Sequence, residues 1–150
     1  MTLSELAFAC FLYSRLTDYD NSYLLFLQST NGSPDLSNPE HRKALLAWLN
    51  RWGCRQFALE YHEHASGEIL SWHNEYSSTL FPRDRNLWEL SEPELASAGA
   101  AYESLSSRIA SYRARDRNSF AVSVGPTGAA KILFERVWGT TILKPHTYLF

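Results

Sequence analysis

The chain of 150 residues carries the same helix-start pattern at three widely spaced positions. A Ser or Thr is followed three residues later by Glu in Thr2-x-x-Glu5, Ser37-x-x-Glu40 and Ser91-x-x-Glu94. In such a capping box the hydroxyl and the carboxylate each accept a hydrogen bond from a backbone N–H group of the first turn. Pro39 and Pro93 add to the signal, because proline is favoured in the first turn of a helix. The three boxes predict a mainly helical fold.

Apolar residues at helical intervals predict the helices of the first third of the chain. The first helix is expected over residues 3–16, and "NSYLLFLQ" after Asp20 favours a second, short helix over a strand. The third helix has one apolar face, formed by Leu45, Leu46, Leu49 and Trp52. Gly53 follows where a helix commonly ends with a left-handed residue.

In the remaining two-thirds of the chain, the sequence marks the ends of the helices less clearly. A fourth helix is predicted from Cys54 to about His64, and a loop with at most one helical turn is predicted over residues 66–90. The last long helix is predicted from Ser91 through Tyr112, because its apolar positions keep helical spacing. With no internal repeat or linker, residues 1–150 are expected to form one compact all-α domain.

Chain length and apolar content limit the classes of protein to which this sequence can belong. A chain of 17.2 kDa fits one domain and can bury a core without metals or disulfides. Cys10 and Cys54 are too far apart in sequence for a zinc knuckle or a redox pair, and both are expected to be buried thiols. No run approaches the ~18 apolar residues of a membrane span, and no basic leader precedes the N-terminal apolar run. A cytoplasmic protein without membrane contact is expected.

Charge is divided unequally along the chain. Residues 1–103 contain seven Lys or Arg against fourteen Asp or Glu, whereas residues 104–150 contain seven against two. The overall charge of −2 argues against a protein that coats nucleic acid by bulk electrostatics. The basic C-terminal segment therefore becomes the candidate region for an anionic partner.

The basic segment contains "AVSVGPTGAAKILF", residues 121–134, in which two glycines and a proline precede a helical pattern. Glycine allows positive φ in a tight turn and lets a phosphate approach main-chain N–H groups at a helix start. These residues resemble the helix-hairpin-helix motif of the DNA glycosylase and DNA-repair superfamily. The resemblance implies a helix-hairpin-helix-like element over about 117–134, with a short first helix over about 117–122 and a second helix from Pro126.

The resemblance implies non-catalytic, sequence-independent binding of the DNA backbone, since the expected contacts are all to phosphate. The expected binding residues are Gly125, Thr127, Gly128 and Lys131, supported by Arg115, Arg117 and Arg136. Ser123 stands where the motif normally has its first glycine. No Asp follows Asp116, so the catalytic aspartate of the glycosylases has no counterpart and a glycosylase reaction is disfavoured. An enzyme is a lower option that rests only on the cluster of His and Glu residues around His62.

Two other interpretations of the chain remain open. "VGPTGAA" is also an ordinary turn between two core helices, with proline at the first helical position. Alternatively, the chain is a protein-interaction or inhibitory accessory module. That module would use the apolar C-terminal tail "TTILKPHTYLF", residues 140–150, and the acidic N-terminal region against a basic partner.

Two further groups of side chains are candidate sites. His62, His64 and His73 lie near two glutamates, but a solvated helix end is favoured over a metal site because the spacing is not that of a metalloprotease. A group of aromatic residues either forms a pocket in which a base could stack or packs in the core. The group consists of Trp72, Tyr76, Phe81, Trp88 and Trp138. The sequence therefore predicts no metal and no cofactor.

Overall fold

The computed structural model describes residues 2–16, 18–80, 89–115 and 118–138. Within them the chain forms α1 (Leu3–Leu16), α2 (Tyr19–Ser29), α3 (Pro39–Arg51), α4 (His62–Tyr76), α5 (Glu92–Ser107), β1 (Ile109–Arg115), β2 (Asn118–Ser123) and α6 (Gly125–Trp138). A 3-10 turn, Leu59–Tyr61, leads into α4. The mostly helical fold is confirmed, but β1 and β2 pair as an antiparallel sheet, so the domain is not purely all-α.

Capping boxes start α1 and α5 as predicted. The N–H of Thr2 donates to Glu5 Oε2 at 2.6 Å, and the N–H of Glu5 donates to Thr2 Oγ1 at 3.3 Å. The N–H of Ser91 donates to Glu94 Oε2 at 2.8 Å. These bonds satisfy N–H groups that the first helical turn otherwise leaves without partners.

The third box is displaced by one residue. Asn38 caps α3, and its Oδ1 accepts the N–H of Glu40 at 2.9 Å. Ser37 instead donates its N–H to the Asp35 carboxylate at 2.9 Å, which lowers the pKa of Asp35. Gly53 has φ +75° directly after the C-cap residue, as the sequence predicts.

Helix α4 replaces residues 66–76 of the loop predicted over 66–90. Ala65, Ile69 and Trp72 are buried on one face of α4, and Tyr76 packs against the core one turn later. Their intervals of four, three and four residues are helical, but the polar residues between them obscure the period. The predicted helix from Cys54 is wrong, because regular helix begins only at Leu59.

Strands β1 and β2 replace two predicted helical segments. The chain turns extended at Arg108, where ψ is 147°, so the predicted continuation of α5 through Tyr112 is wrong. The predicted helix over 117–122 is also wrong, because residues 118–123 pair with β1. Arg115 opposes Asn118, so only two residues connect the strands. Ile, Tyr, Phe and Val within this stretch favour a pleated surface.

The core lies where α3, α4, α5 and α6 meet. Its fully buried members include Leu45, Leu49, Phe57, Ile69, Trp72, Leu105, Val124 and Ile132. Trp72 Nε1 donates to the carbonyl of Ala101 at 2.8 Å, which joins α4 to α5. Cys54 is buried as predicted, whereas Cys10 is exposed because α1 does not pack its apolar residues against this core.

Candidate functional site

The glycine turn joins a strand to a helix. Gly125 begins α6 with φ +68°, a conformation that residues with a Cβ rarely adopt. The preceding Val124 is buried, its N–H donates to the carbonyl of Arg108 at 2.7 Å, and its carbonyl accepts Gln56 Nε2 at 2.8 Å. The need for glycine at residue 125 is therefore confirmed, but the element before it is β2 and not a helix.

Gly128 faces the protein interior. A Cβ added there would lie 2.8 Å from Gln56 Nε2, 3.1 Å from Val124 Cγ1 and 3.2 Å from Phe57 Cε2. The missing side chain lets α6 approach the segment that joins α3 to α4. Close helix packing thus explains this glycine, whereas Thr127, one position earlier, is exposed.

Lys131 contacts aromatic and sulfur groups. Its Nζ lies 4.5 Å from the centroid of the Trp52 ring and 3.5 Å from Cys54 Sγ. Within the described part of the chain Lys131 makes no salt bridge. The cation is held against the C-terminal end of α3.

The arginines of the basic segment are dispersed. Arg108 binds two carboxylates, at 3.4 Å from Glu68 and 2.7 Å from Glu75, so its charge is compensated. Arg115 ends β1 and Arg136 lies in the last turn of α6, about 16 Å along the helix axis from its first residue. Arg117 lies outside the described residues.

The β1–β2 hairpin is exposed beyond its base. Ser111 is buried and its hydroxyl donates to the carbonyl of Gln56 at 2.7 Å, which fixes the base. Farther out, Arg113 opposes Phe120 across the strands, and both side chains are exposed. Arg113 also donates to the carbonyl of Arg55 at 3.1 Å. The outer hairpin thus presents a cation beside an aromatic ring.

The three histidines are separated along α4. His62 Nε2 lies 2.9 Å from Asn50 Nδ2, and the His64 ring lies 5.7 Å from the Tyr112 ring. His73 is eleven residues beyond His62, about 16 Å along the helix. Among the residues that the structure describes, no group of three His, Cys, Asp or Glu could hold a metal ion.

Helix α1 has an exposed apolar surface that the sequence analysis did not identify. Every side chain described for it is exposed, and its large apolar members are Leu3, Leu6, Phe8, Phe11, Leu12, Tyr13 and Leu16. Their helical spacing predicted the helix but could not say whether the core would cover it. The apolar tail predicted as an interaction surface, residues 140–150, lies outside the described residues.

An aromatic cavity of about 340 Å³ lies between α2, α3 and α6. It is lined by Tyr23, Trp48, Trp52, Ala130, Lys131 and Phe134. Of the aromatic residues named in the sequence analysis, Trp72 is buried in the core with Tyr76 stacked on it. Phe81, Trp88 and the side chain of Trp138 lie outside the described part of the chain. The sequence signal that could have identified this cavity is the spacing of Trp48 and Trp52, which lie one helical turn apart.

The comparisons with known proteins identify no relative. No family model, curated protein or solved structure matches the chain. None of the described helices is long and apolar enough to cross a lipid bilayer.

Proposed function

We propose that the chain is a protein-interaction module whose docking surface is α1 and whose partner is a second copy of the same chain. The observation that carries this proposal is the exposure of the apolar side chains of α1. A helix that is apolar all round is normally buried. A single helix of 14 residues is also marginally stable in water, so a cover for α1 stabilises the helix itself.

The exposed area of α1 fits a stable interface. Its seven large apolar residues expose between 40% and 84% of their surface, which amounts to roughly 800 Å² per chain at about 200 Å² for a whole side chain. A standard interface buries about 800 Å² per partner. These residues lie on all sides of α1, so an interface of that size requires α1 to contact both the second α1 and the surface next to it on the second copy.

Charge along α1 favours an antiparallel pair. Glu5, Phe8, Leu12 and Arg15 follow one another at intervals of three, four and three residues and so form one stripe. A two-fold axis that places residue 8 opposite residue 12 of the second copy also places Glu5 opposite Arg15. The stripe then has an apolar centre and an ion pair at each end, which is the self-complementary arrangement that a symmetric dimer requires.

Sedimentation equilibrium tests the assembly. The wild-type chain is expected to show twice its 17.2 kDa mass, and Leu12→Glu is expected to shift it to the monomer, since Glu keeps the helix propensity but adds charge to the interface. Leu59→Glu is the matched control, because Leu59 is 75% exposed outside α1. A wild-type monomer at every concentration would overturn the proposal.

Reversing one charge tests the antiparallel geometry within the same experiment and leaves the Glu5 capping box intact. Arg15→Glu places two carboxylates opposite each other at each end of the pair and should weaken the dimer, whereas Arg15→Lys keeps the ion pair and should retain it. If Arg15→Glu associates as tightly as Arg15→Lys, the two helices do not pair in this way.

A second candidate function is sequence-independent binding of single-stranded nucleic acid, favoured by the hairpin. Arg113 and Phe120 lie side by side on exposed strands. Arginine provides a phosphate contact and the ring provides a stacking surface for a base, a combination that suits single strands of any sequence. This candidate retains the partner implied by the helix-hairpin-helix resemblance but moves the contact from the start of α6 to the β1–β2 hairpin.

Binding of a labelled oligothymidine, measured by fluorescence anisotropy across a salt series, tests this candidate. Affinity should fall as salt rises, and Arg113→Glu should weaken binding and reduce the salt slope by about 1. Phe120→Ala should weaken binding with little change in slope, because stacking releases no counterion. Lys43→Glu is the control, on the exposed surface of α3. Absence of binding at low salt, or equal loss in the control, would exclude the hairpin as a binding site.

A further inference from the structure

The cavity between α2, α3 and α6 combines aromatic walls with one cation. Tyr23 and Trp48 have ring centroids 5.4 Å apart, and Trp48 and Trp52 have centroids 5.5 Å apart. Among the described residues of the lining, the Lys131 ammonium is the only charged group, and it lies 4.5 Å above the Trp52 ring. A volume of about 340 Å³ lies in the range of small-molecule sites.

The cation in this cavity has unused bonding capacity. Lys131 makes no salt bridge within the described residues, and its contacts are to the Trp52 ring and to Cys54 Sγ. An anionic ligand would supply a charged partner for the ammonium, and a hydrogen bond between charged groups is stronger than one between neutral groups.

We propose that this cavity binds a small planar aromatic anion, with its rings against the aromatic side chains and its anionic group against Lys131. Aromatic walls stabilise a planar ring by stacking and by removing its apolar surface from water. The ammonium supplies charge complementarity, which selects an anion over a neutral ring of the same shape. This site is separate from the exposed stripe of α1 and from the hairpin, so it does not depend on the proposed function.

Two probes of matched shape test the site. Anilinonaphthalene sulfonate carries an anionic group, whereas N-phenyl-1-naphthylamine has the same rings without it. Energy transfer from tryptophan to each dye measures binding to the full chain. We expect one sulfonate dye per chain, bound more tightly than the neutral dye. Equal affinity for both dyes would overturn the proposal.

Variants separate the cation from the walls. Lys131→Met should weaken the sulfonate by about tenfold and leave the neutral dye unchanged, because a charged hydrogen bond is lost. Lys131→Arg should retain sulfonate binding. Ala130→Trp, at an exposed lining position, should exclude both dyes, and Ala100→Trp on exposed α5 is its control. Circular dichroism checks that each variant is folded.

The exposed α1 helix is the competing location for the dyes. If Leu12→Glu abolishes sulfonate binding while Ala130→Trp leaves it unchanged, the dye occupies α1 and the proposal is wrong. The proposal also fails if Lys131→Met binds the sulfonate as tightly as the wild type.

Discussion

At the scale of single residues, Gly125 and Gly128 are required for different reasons. Gly125 is required by its backbone, since φ +68° strains any residue with a Cβ. Gly128 is required by its neighbours, because an added Cβ would lie 2.8 Å from the Gln56 amide nitrogen that binds the carbonyl of Val124. Sequence alone assigned both glycines to phosphate contact, since a pattern of glycines does not reveal what lies opposite them.

The packing role of Gly128 gives a prediction for stability. Gly128→Ala should destabilise the fold by about 1 kcal/mol, because displacing Gln56 and crowding Phe57 outweighs the gain in helix propensity. Gly99→Ala is the matched control: Gly99 lies in α5 with nothing within 4 Å of an added Cβ, so the change should stabilise by about 0.5–1 kcal/mol. Urea unfolding measures both. Stabilisation by both substitutions would show that Gly128 is not tightly packed.

At the scale of elements, helices with a cap and a clear period were predictable, and the hairpin was not. α1, α3 and α5 begin at or beside their predicted boxes. Ile109 and Tyr112 continue the apolar spacing of α5, yet they lie in β1, because pairing with residues 118–123 outweighs local helix propensity. A two-residue connection is too short for the sequence to distinguish it from a turn between helices. Strand pairing is a nonlocal interaction, and apolar periodicity records only local preference.

At the scale of the whole molecule, the candidate surfaces depend on contacts between distant parts of the chain. Residues of α2, α3 and α6 line the aromatic cavity. Lys131, one of these residues, belongs to the segment that the sequence predicted to bind phosphate. The count of charged residues along the sequence distinguishes an acidic segment from a basic one. It does not show that the charge of Arg108 is neutralised by ion pairs with Glu68 and Glu75. Composition supplied enough apolar residues for a core, whereas only the packing shows that α1 lies outside it.

Hydrogen exchange of the α1 amides at several protein concentrations tests the central proposal most directly. A second copy that covers α1 should slow exchange of the amides of residues 7–16 at protein concentrations above the dissociation constant of the dimer. Exchange should be fast below that concentration, since a lone helix of this length opens readily. The amides of α4, which lie in the core, should show the same protection throughout and serve as the internal control. Strong protection of α1 that does not change with dilution would show that α1 is covered within a single chain, and it would contradict the proposal.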